Sequence, residues 1–143
     1  MTHTLDNGGD DERGQHRSRV KGLYELFGAG DTEGMIAAHS EDAVWDHSGP
    51  PGNPLNRVFE GHAGLREFFK ILDETQEVLE FEVNDHVGSG NRVVSLGFMR
   101  LRVRATGKTW ESDWATAWTI KDGLVTHWKV FFDMSAEVAA FQE

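Results

Sequence analysis

The stretch TGKTWESDWATAWTIKDGLVTHWKVFFD, residues 106–133, decides the fold of this chain. Apolar residues recur at every second position, which is the period of a β-strand with one buried face. The pattern predicts strands over 108–120 and 124–133, joined by a Lys-Asp-Gly turn of the kind found in hairpins. The face to be buried carries Trp110, Ser112, Trp114, Thr116 and Trp118 in the first strand, and Leu124, Thr126, Trp128, Val130 and Phe132 in the second.

Outward from this hairpin the sequence predicts helices first and strands afterwards. A short helix is predicted from an N-cap at Asp31 through 35–37, and a last helix over 135–141. Strands are predicted over 43–48, 78–87 and 92–104, with a Gly- and Pro-rich loop over 49–61. This order predicts an α+β domain, a curved antiparallel sheet with helices packed on its concave face. Two further segments have helical apolar spacing: Val20, Leu23, Tyr24 and Phe27, and Leu65, Phe68, Phe69 and Leu72.

The composition restricts the class of partner. The 143 residues carry 24 acidic and 14 basic side chains, a net charge of −10, which repels nucleic acid. The absence of cysteine excludes a disulfide, and no apolar run is long enough to span a membrane. Residues 1–16 lack the apolar stretch of a secretory signal and hold little apolar surface. We therefore expect a disordered leader over 1–16, a single domain over 17–143, and a cytoplasmic location.

Strand pairing gives Arg100, Arg102 and Arg104, in the predicted strand 92–104, a structural explanation. Opposite charges beside each other on a sheet are stabilising, so we expect a paired outer face or a homodimer surface rather than a nucleic-acid stripe. By the same pairing, Asp133 is expected to be a structural partner of Arg102. With Ala-Thr-Gly-Lys as one turn and Lys-Asp-Gly as a three-residue loop, the predicted pairs are Arg104–Thr109, Arg102–Glu111, Arg100–Asp113, Trp114–Val130 and Glu111–Asp133.

The opposite face of the sheet is aromatic and aliphatic, and it leaves two alternatives open. Helices cannot fill the whole concavity of a curved sheet, so one expectation is an apolar pocket, the usual kind of site for a small molecule. The other is that the tryptophans simply fill the core. The pocket reading predicts substrate contacts from Trp45, Phe69, Met99, Ser112, Trp114, Thr116, Trp128, Val130 and Phe132.

Three segments carry a resemblance to a known family: GAGDTEGMIAAHSEDAVWDHSGP (28–50), FEGHAGLREFF (59–69) and the stretch 106–133. In this order they resemble the nuclear transport factor 2-like superfamily, and within it the SnoaL-like group, close to limonene epoxide hydrolases and ketosteroid isomerases. The resemblance covers about 20–133. It implies a cone-shaped α+β barrel with a deep apolar pocket, and frequent dimers.

The residues at the family's catalytic positions depart from both of these branches. The resemblance places His47 where the isomerases have a proton-shuttling aspartate and the epoxide hydrolases a water-holding asparagine. The isomerase tyrosine falls on Leu23, beside Tyr24, and the protonated aspartate of the isomerases falls near Thr116. A hydrolase tyrosine falls on Trp45, and the hydrolase Arg and two Asp fall on Gly97, Met99 and Val130.

His47 is the remaining candidate for chemistry. An imidazole titrates near neutral pH and is suited to general acid/base work, and burial against indoles disfavours its charged form. Tyr24, Ser112 or Thr116 are candidate donors to a developing oxyanion. The structural alternative is a satisfied core or rim histidine. Asp46 alternates to the other face, and the 49–61 loop is expected to close the pocket.

These observations predict a cofactor-free enzyme of isomerase, cyclase or hydrolase type. Its substrate is expected to be a hydrophobic small molecule, polyketide- or terpenoid-like, with His47 and Tyr24 as catalytic residues. The spacings of His39, His62, His86 and His127 give no ligand pair, so no metal is expected. The alternative function is a non-catalytic module that binds a hydrophobic ligand or dimerises. We expect no nucleic-acid or membrane partner, and a homodimer through the outer sheet face.

Overall fold

The computed structural model describes residues 3–143, with side chains from residue 14 onward. None of the described helices combines the length and apolar character that a membrane crossing needs. The helices are α1 (His3–Gly28), α2 (Thr32–Ala37), α3 (Gly61–Thr75) and α4 (Met134–Phe141). The strands are β1 (His39–Asp46), β2 (Val58–Glu60), β3 (Gln76–Ser89), β4 (Arg92–Val103), β5 (Thr109–Lys121) and β6 (Leu124–Phe132).

The six strands form one sheet in the order β2-β1-β6-β5-β4-β3. The predicted α+β class and curved sheet are confirmed, with one difference in direction. Neighbouring strands are antiparallel except β1 and β6, which run parallel. Alternation assigns faces and carries no information on direction, so the parallel pair was not predicted. Strand β2 lies inside the predicted 49–61 loop, because three residues are too few to show a period.

The three helices α1, α2 and α3 cover the concave side of the sheet through one apolar stripe each. The Asp31 side chain caps α2 by accepting a hydrogen bond from the Gly34 backbone N–H at 2.9 Å, as predicted. Leucine and phenylalanine side chains from the helices interlock with indoles from the strands in a single core. Its buried members include Val20, Leu23, Met35, Ile36, Trp45, Leu65, Phe68, Trp118 and Trp128.

The β5–β6 turn is tighter than the predicted three-residue loop. Asp122 and Gly123 have φ values of 52° and 79°, which identify a two-residue hairpin turn, and a bulge follows between Thr119 and Ile120. The register therefore shifts by two residues. Trp114 pairs with Phe132, so the predicted pairs Trp114–Val130 and Glu111–Asp133 are wrong.

The β4 arginines pair with acids on β3, not on β5. Arg102 lies directly opposite Glu77 and their side chains are 3.0 Å apart, while Arg100 forms an ion pair with Glu80. The β4–β5 loop spans 104–107, one residue earlier than predicted, so Arg100 faces Glu111 and Arg102 faces Thr109. The charge-paired outer face is present, but every predicted β4–β5 pair is wrong because the loop was placed one residue late.

Asp133 caps a helix instead of meeting Arg102. Strand β6 ends at Phe132, and the Asp133 carboxylate accepts a hydrogen bond from the Ala136 backbone N–H at 3.1 Å. The predicted partnership of Asp133 with Arg102 is therefore wrong. The reason is local. A carboxylate directly before α4 accepts a hydrogen bond from a backbone N–H group in the first turn of that helix, which has no partner within the helix.

The backbone is helical from His3, and the leader over 1–16 and the single domain over 17–143 stay predictions. Residues 1 and 2 of that leader lie outside the described residues. His16 is buried, and its Nδ1 lies 3.1 Å from the Gly90 carbonyl oxygen in the β3–β4 turn. Helix propagation costs less than nucleation, so a helix anchored at residues 16–27 extends toward the N-terminus without apolar surface of its own.

Gly97 on β4 is where the sheet backbone and an indole ring meet most closely. A Cβ atom at this position would lie 2.3 Å from Cζ2 of Trp114 and 2.0 Å from the Glu82 carbonyl oxygen. Any side chain at residue 97 would displace the Trp114 ring or the β3 backbone. The absence of a Cβ therefore allows Trp114 to lie against the concave face.

We expect Gly97→Ala to lower the free energy of unfolding by about 1–3 kcal/mol, because overpacking forces ring or backbone shifts. Urea unfolding measures the change. The matched control is Gly22→Ala in α1, where nothing lies within 4 Å of the added Cβ. That control should raise stability by about 0.4–1 kcal/mol. Equal effects of the two alanines would contradict the close-approach explanation.

Candidate functional site

The concave face holds an apolar cavity of about 100 Å³ between the sheet and α1, α2, α3 and α4. Leu55, from the 49–61 loop, forms part of its wall. The predicted pocket residues that line the cavity are Tyr24, Trp45, His47, Phe69, Met99, Trp114, Thr116, Trp128, Val130 and Phe132.

Ser112 is the predicted pocket residue that does not line the cavity. Its hydroxyl donates to the Asp113 carbonyl oxygen at 2.6 Å and accepts from the Asp133 backbone N–H at 3.0 Å. The two-residue shift in the β5–β6 register brings Ser112 to the junction between β6 and α4. The predicted substrate or oxyanion contact of Ser112 therefore has no support from the cavity, because its hydrogen bonds join these elements.

His47 follows β1 and places its ring in the cavity wall. The side chain is 5% exposed, and ring centroids of Phe68 and Phe132 each lie 5.5 Å away, with Trp128 at 6.2 Å. Its Nδ1 is buried and has no hydrogen-bond partner among the described residues. Burial lowers the pKa of His47, so the neutral imidazole predominates at neutral pH.

Asp46 lies on the other side of β1 and does not orient the imidazole. Its carboxylate accepts hydrogen bonds from the Ser48 backbone and hydroxyl, and it lies 3.6 Å from the Lys129 ammonium. The Ser48 hydrogen bonds lower the pKa of Asp46. This carboxylate therefore fixes the start of the loop after β1 and the outer face of β6.

A second histidine, His39, anchors Trp45, which lies two residues before His47. His39 Nδ1 lies 2.7 Å from the Met35 carbonyl oxygen, which only accepts, so Nδ1 carries the proton. The other ring nitrogen, Nε2, then accepts from Trp45 Nε1–H at 2.9 Å. Burial lowers the pKa of His39 to about 4, so the ring is neutral. This arrangement holds Trp45 stacked on Trp128 at a centroid distance of 4.2 Å.

Tyr24 belongs to a closed hydrogen-bond cluster at the α1 side of the cavity. Its hydroxyl lies 2.6 Å from Thr116 Oγ1, and Trp118 Nε1–H donates to the same threonine oxygen at 2.9 Å. Burial raises the pKa of Tyr24 to about 12, so the phenol is neutral. The structure brings both predicted oxyanion donors, Tyr24 and Thr116, to the cavity, but each already has a partner.

Glu137, on α4, is a cavity residue that the sequence analysis missed. It is 2% exposed, and its Oε2 accepts from Gln76 Nε2 at 2.9 Å. Gln76 Oε1 in turn accepts from Trp110 Nε1–H at 2.8 Å. Burial raises the pKa of Glu137 to about 7. The sequence feature that could have identified Glu137 is a single acidic residue, between alanine and valine, in a mostly apolar helix.

The cavity meets a wider surface groove between α1, α3 and β3. Residues that line both spaces include Phe27, Phe69 and Phe81, and the rings of Phe27 and Phe81 are 5.0 Å apart. These rings mark the boundary between cavity and surface. Among the described residues, no group of three His, Asp or Glu side chains is placed to hold a metal ion.

Comparisons with known proteins identify the family. The SnoaL-like domain model matches residues 20–128. A nuclear transport factor 2-like protein from Burkholderia xenovorans is 31% identical, with a TM-score of 0.81 over 91% of this chain and 98% of its own. TerC, crystallised with polyporic acid, is 24% identical, with a TM-score of 0.75 over 90% and 99%.

A third solved structure has the same fold at lower identity. A candidate polyketide cyclase from Xanthomonas campestris is 20% identical to this chain, with a TM-score of 0.72 over 91% of this chain and 98% of its own. No curated protein matches this chain in sequence. TerC and the Xanthomonas campestris protein show that the fold is shared. The chemistry of the site is inferred from the residues of its cavity.

The neutral His39 makes stability depend on pH in a defined direction. The His39 pKa is about 4 in the folded protein and 6.5 in an unperturbed chain. Between these values the unfolded state binds more protons, so the contribution is complete above pH 6.5 and is lost as pH falls toward 4. The maximum slope is about 1.4 kcal/mol per pH unit. His39→Gln should flatten this loss, measured by urea unfolding across the interval.

The matched control for this measurement is His127→Gln, on an exposed part of β6. Glu137 changes stability with pH in the opposite direction, because its raised pKa adds stability at low pH. Glu137 is present in both variants, so its contribution is the same in each. The comparison therefore isolates His39. The same pH slope in the two variants would contradict the neutral, doubly bonded His39.

Proposed function

This chain belongs to the SnoaL-like domain family of nuclear transport factor 2-like proteins, and on that premise we propose that it is a cofactor-free enzyme of isomerase or cyclase type. Its substrate is a hydrophobic ring compound that enters the Trp-lined cavity. His47 is the general acid/base. The observation that supports this most directly is the buried, unpartnered Nδ1 of His47 in the wall of an apolar cavity.

The proposed step is transfer of a proton within the bound substrate. Neutral His47 takes a proton from a carbon next to a carbonyl, and the electrons of the C–H bond form an enolate C=C bond while the carbonyl oxygen gains charge. The imidazolium then returns the proton at another carbon. Proton transfer by a positioned side chain typically contributes about 10²–10⁴-fold to a rate, and burial keeps the imidazole in its basic form.

The cavity volume limits how much of a substrate can contact His47. At about 100 Å³ it is smaller than the roughly 150 Å³ apolar cavity that holds benzene in an engineered protein. A larger polyketide- or terpenoid-like molecule fits if the aromatic rings at the groove move. Crystallisation of TerC with polyporic acid and the cyclase assignment of another fold neighbour support a small organic molecule as occupant.

We expect the wild-type protein to convert β,γ-cyclohexenone to its α,β isomer and to incorporate deuterium from deuterium oxide. His47→Gln keeps a polar side chain of similar size and should reduce this rate by about 10²–10⁴-fold. Proton nuclear magnetic resonance follows both products. His127→Gln is the control, because that residue is exposed on β6 outside the cavity. An unchanged rate in His47→Gln overturns the assignment.

The alternative function is a binding module without turnover. The observation that favours it is the closed cluster of Tyr24, Thr116 and Trp118, in which the two hydroxyl groups and the indole N–H already bond to one another. A ligand that quenches tryptophan fluorescence in the wild-type protein, with no conversion by mass spectrometry, would support binding alone. The same ligand converted by wild type and not by His47→Gln supports the enzyme.

We also propose that the protein forms a homodimer through the outer face of the sheet. Exposed apolar side chains lie there on adjacent strands, with Val87 opposite Val94, Leu96 opposite Ala115, and Ala115 opposite Phe131. Phe131 is 52% exposed and Val87 is 55% exposed. Contiguous apolar surface of this kind is typical of interaction sites.

Phe131→Glu should convert the dimer to a monomer in sedimentation equilibrium, because a charge would be buried at the centre of the patch. The control is Leu124→Glu, a 39% exposed residue at the β5–β6 turn, away from the patch. This control should remain dimeric. A monomeric wild-type protein, or a dimeric Phe131→Glu variant, would contradict this interface.

A further inference from the structure

Glu137 has an orientation that two hydrogen bonds determine. An indole N–H only donates, so Trp110 fixes the Gln76 side chain with its carbonyl oxygen toward the indole. The Gln76 amide N–H group then points at Glu137 and donates to Oε2 at 2.9 Å. Oε2 is therefore the accepting oxygen. When the carboxyl group is neutral, its proton resides on Oε1.

The second carboxyl oxygen is the one left without a hydrogen bond. Oε1 is buried and has no hydrogen-bond partner among the described residues, and Glu137 lines the same cavity as His47. A buried O–H donor without an acceptor is costly, and an acceptor atom on a ligand removes that cost. The position of Oε1 thus matches a ligand oxygen that accepts a hydrogen bond.

His47 and Glu137 are linked through shared neighbours at one end of the cavity. The Phe132 ring lies 5.5 Å from the His47 ring and 5.4 Å from the Trp110 ring, and Trp110 begins the hydrogen-bonded chain to Glu137. A bound ring that touches Phe132 would therefore contact His47 in the cavity whose wall Glu137 also forms.

Few charged groups surround Glu137. The other titratable side chains that line the cavity are His47, after β1, and Tyr24, on α1. The groups that contact Glu137 from β3 and β5 are Gln76 and, through it, Trp110, and neither titrates. The Asn53 side-chain amide, from the loop after β1, approaches the carboxyl group and lowers the pKa of Glu137, but burial has the larger effect and raises it to about 7.

We propose that Glu137 presents a neutral carboxylic acid, through Oε1, to the carbonyl oxygen of a ring compound in the cavity, and so selects carbonyl-bearing rings over hydrocarbon rings. The inference deepens the proposed function, because it names the substrate class, and it rests on that function for the location of the ligand. Stabilisation of the enolate oxygen next to the carbon that His47 deprotonates follows from the same contact.

Benzaldehyde and toluene test this selectivity, because they are similar in size and differ in the carbonyl group. We expect wild-type protein at pH 6 to bind benzaldehyde about three- to tenfold more tightly than toluene, by titration with nuclear magnetic resonance. Infrared spectra of isotope-labelled benzaldehyde should show the carbonyl stretch at lower frequency when bound. Glu137→Met removes the donor at similar volume and should abolish both effects.

Glu137→Gln is the matched variant that keeps a donor. Its carbonyl can accept from Gln76, which leaves its own amide N–H group facing the ligand, so the preference for benzaldehyde should persist. In wild type the preference should decrease as pH rises through about 7, because the neutral carboxyl group is lost. In Glu137→Gln it should not change with pH. This comparison remains informative if Glu137→Met fails to fold.

The outcomes separate this inference from the proposed enzyme. Equal binding of the two probes to wild type, or a pH-independent preference in wild type, overturns the role of Glu137. If isomerisation is then still lost in His47→Gln, the enzyme assignment stands without it. Preference for benzaldehyde with no isomerisation supports Glu137 as the carbonyl donor and leaves the protein a binding module.

Discussion

The buried indole N–H group is the constraint on which the concave face depends. Each tryptophan adds large apolar area and one donor that is costly to leave unpaired. Trp45 donates to His39, Trp118 to Thr116 and Trp110 to Gln76, so these polar side chains occur in the core as indole acceptors. Trp114 is the exception, because its buried N–H has no partner among the described residues. The functional groups are arranged around these pairs. Glu137 is oriented through Gln76, and Tyr24 is held by Thr116.

Alternation predicted the strands, their faces and nearly all of the cavity wall, because burial on one side of a sheet imposes a period of two. Registers were predicted less well, since a two-residue turn at Asp122 and Gly123 moves every β5–β6 pair. That shift is why Ser112 lies at a strand junction. Glu137 was missed because its burial comes from the packing of α4 against distant strands, which local pattern does not encode.

His47 and Glu137 lie in the wall of the same apolar cavity. Gly97 lacks a side chain, and the Trp114 ring occupies that space. Low polarity acts in opposite directions on the two titratable groups, because it disfavours either charge. It favours a neutral base at His47 and a neutral acid at Glu137 within the same cavity. This is the combination that a proton transfer next to a carbonyl requires.

The cavity also determines how the fold responds to compression. A void of about 100 Å³ in each molecule corresponds to roughly 60 mL/mol, within the range of volume decreases that accompany protein unfolding. Hydrostatic pressure therefore acts on the same space that we propose as the ligand site. A bound ring fills that space and reduces the volume lost on unfolding, so an occupied protein resists pressure better than a free one. The resistance of the fold to pressure thus depends on whether the site is occupied.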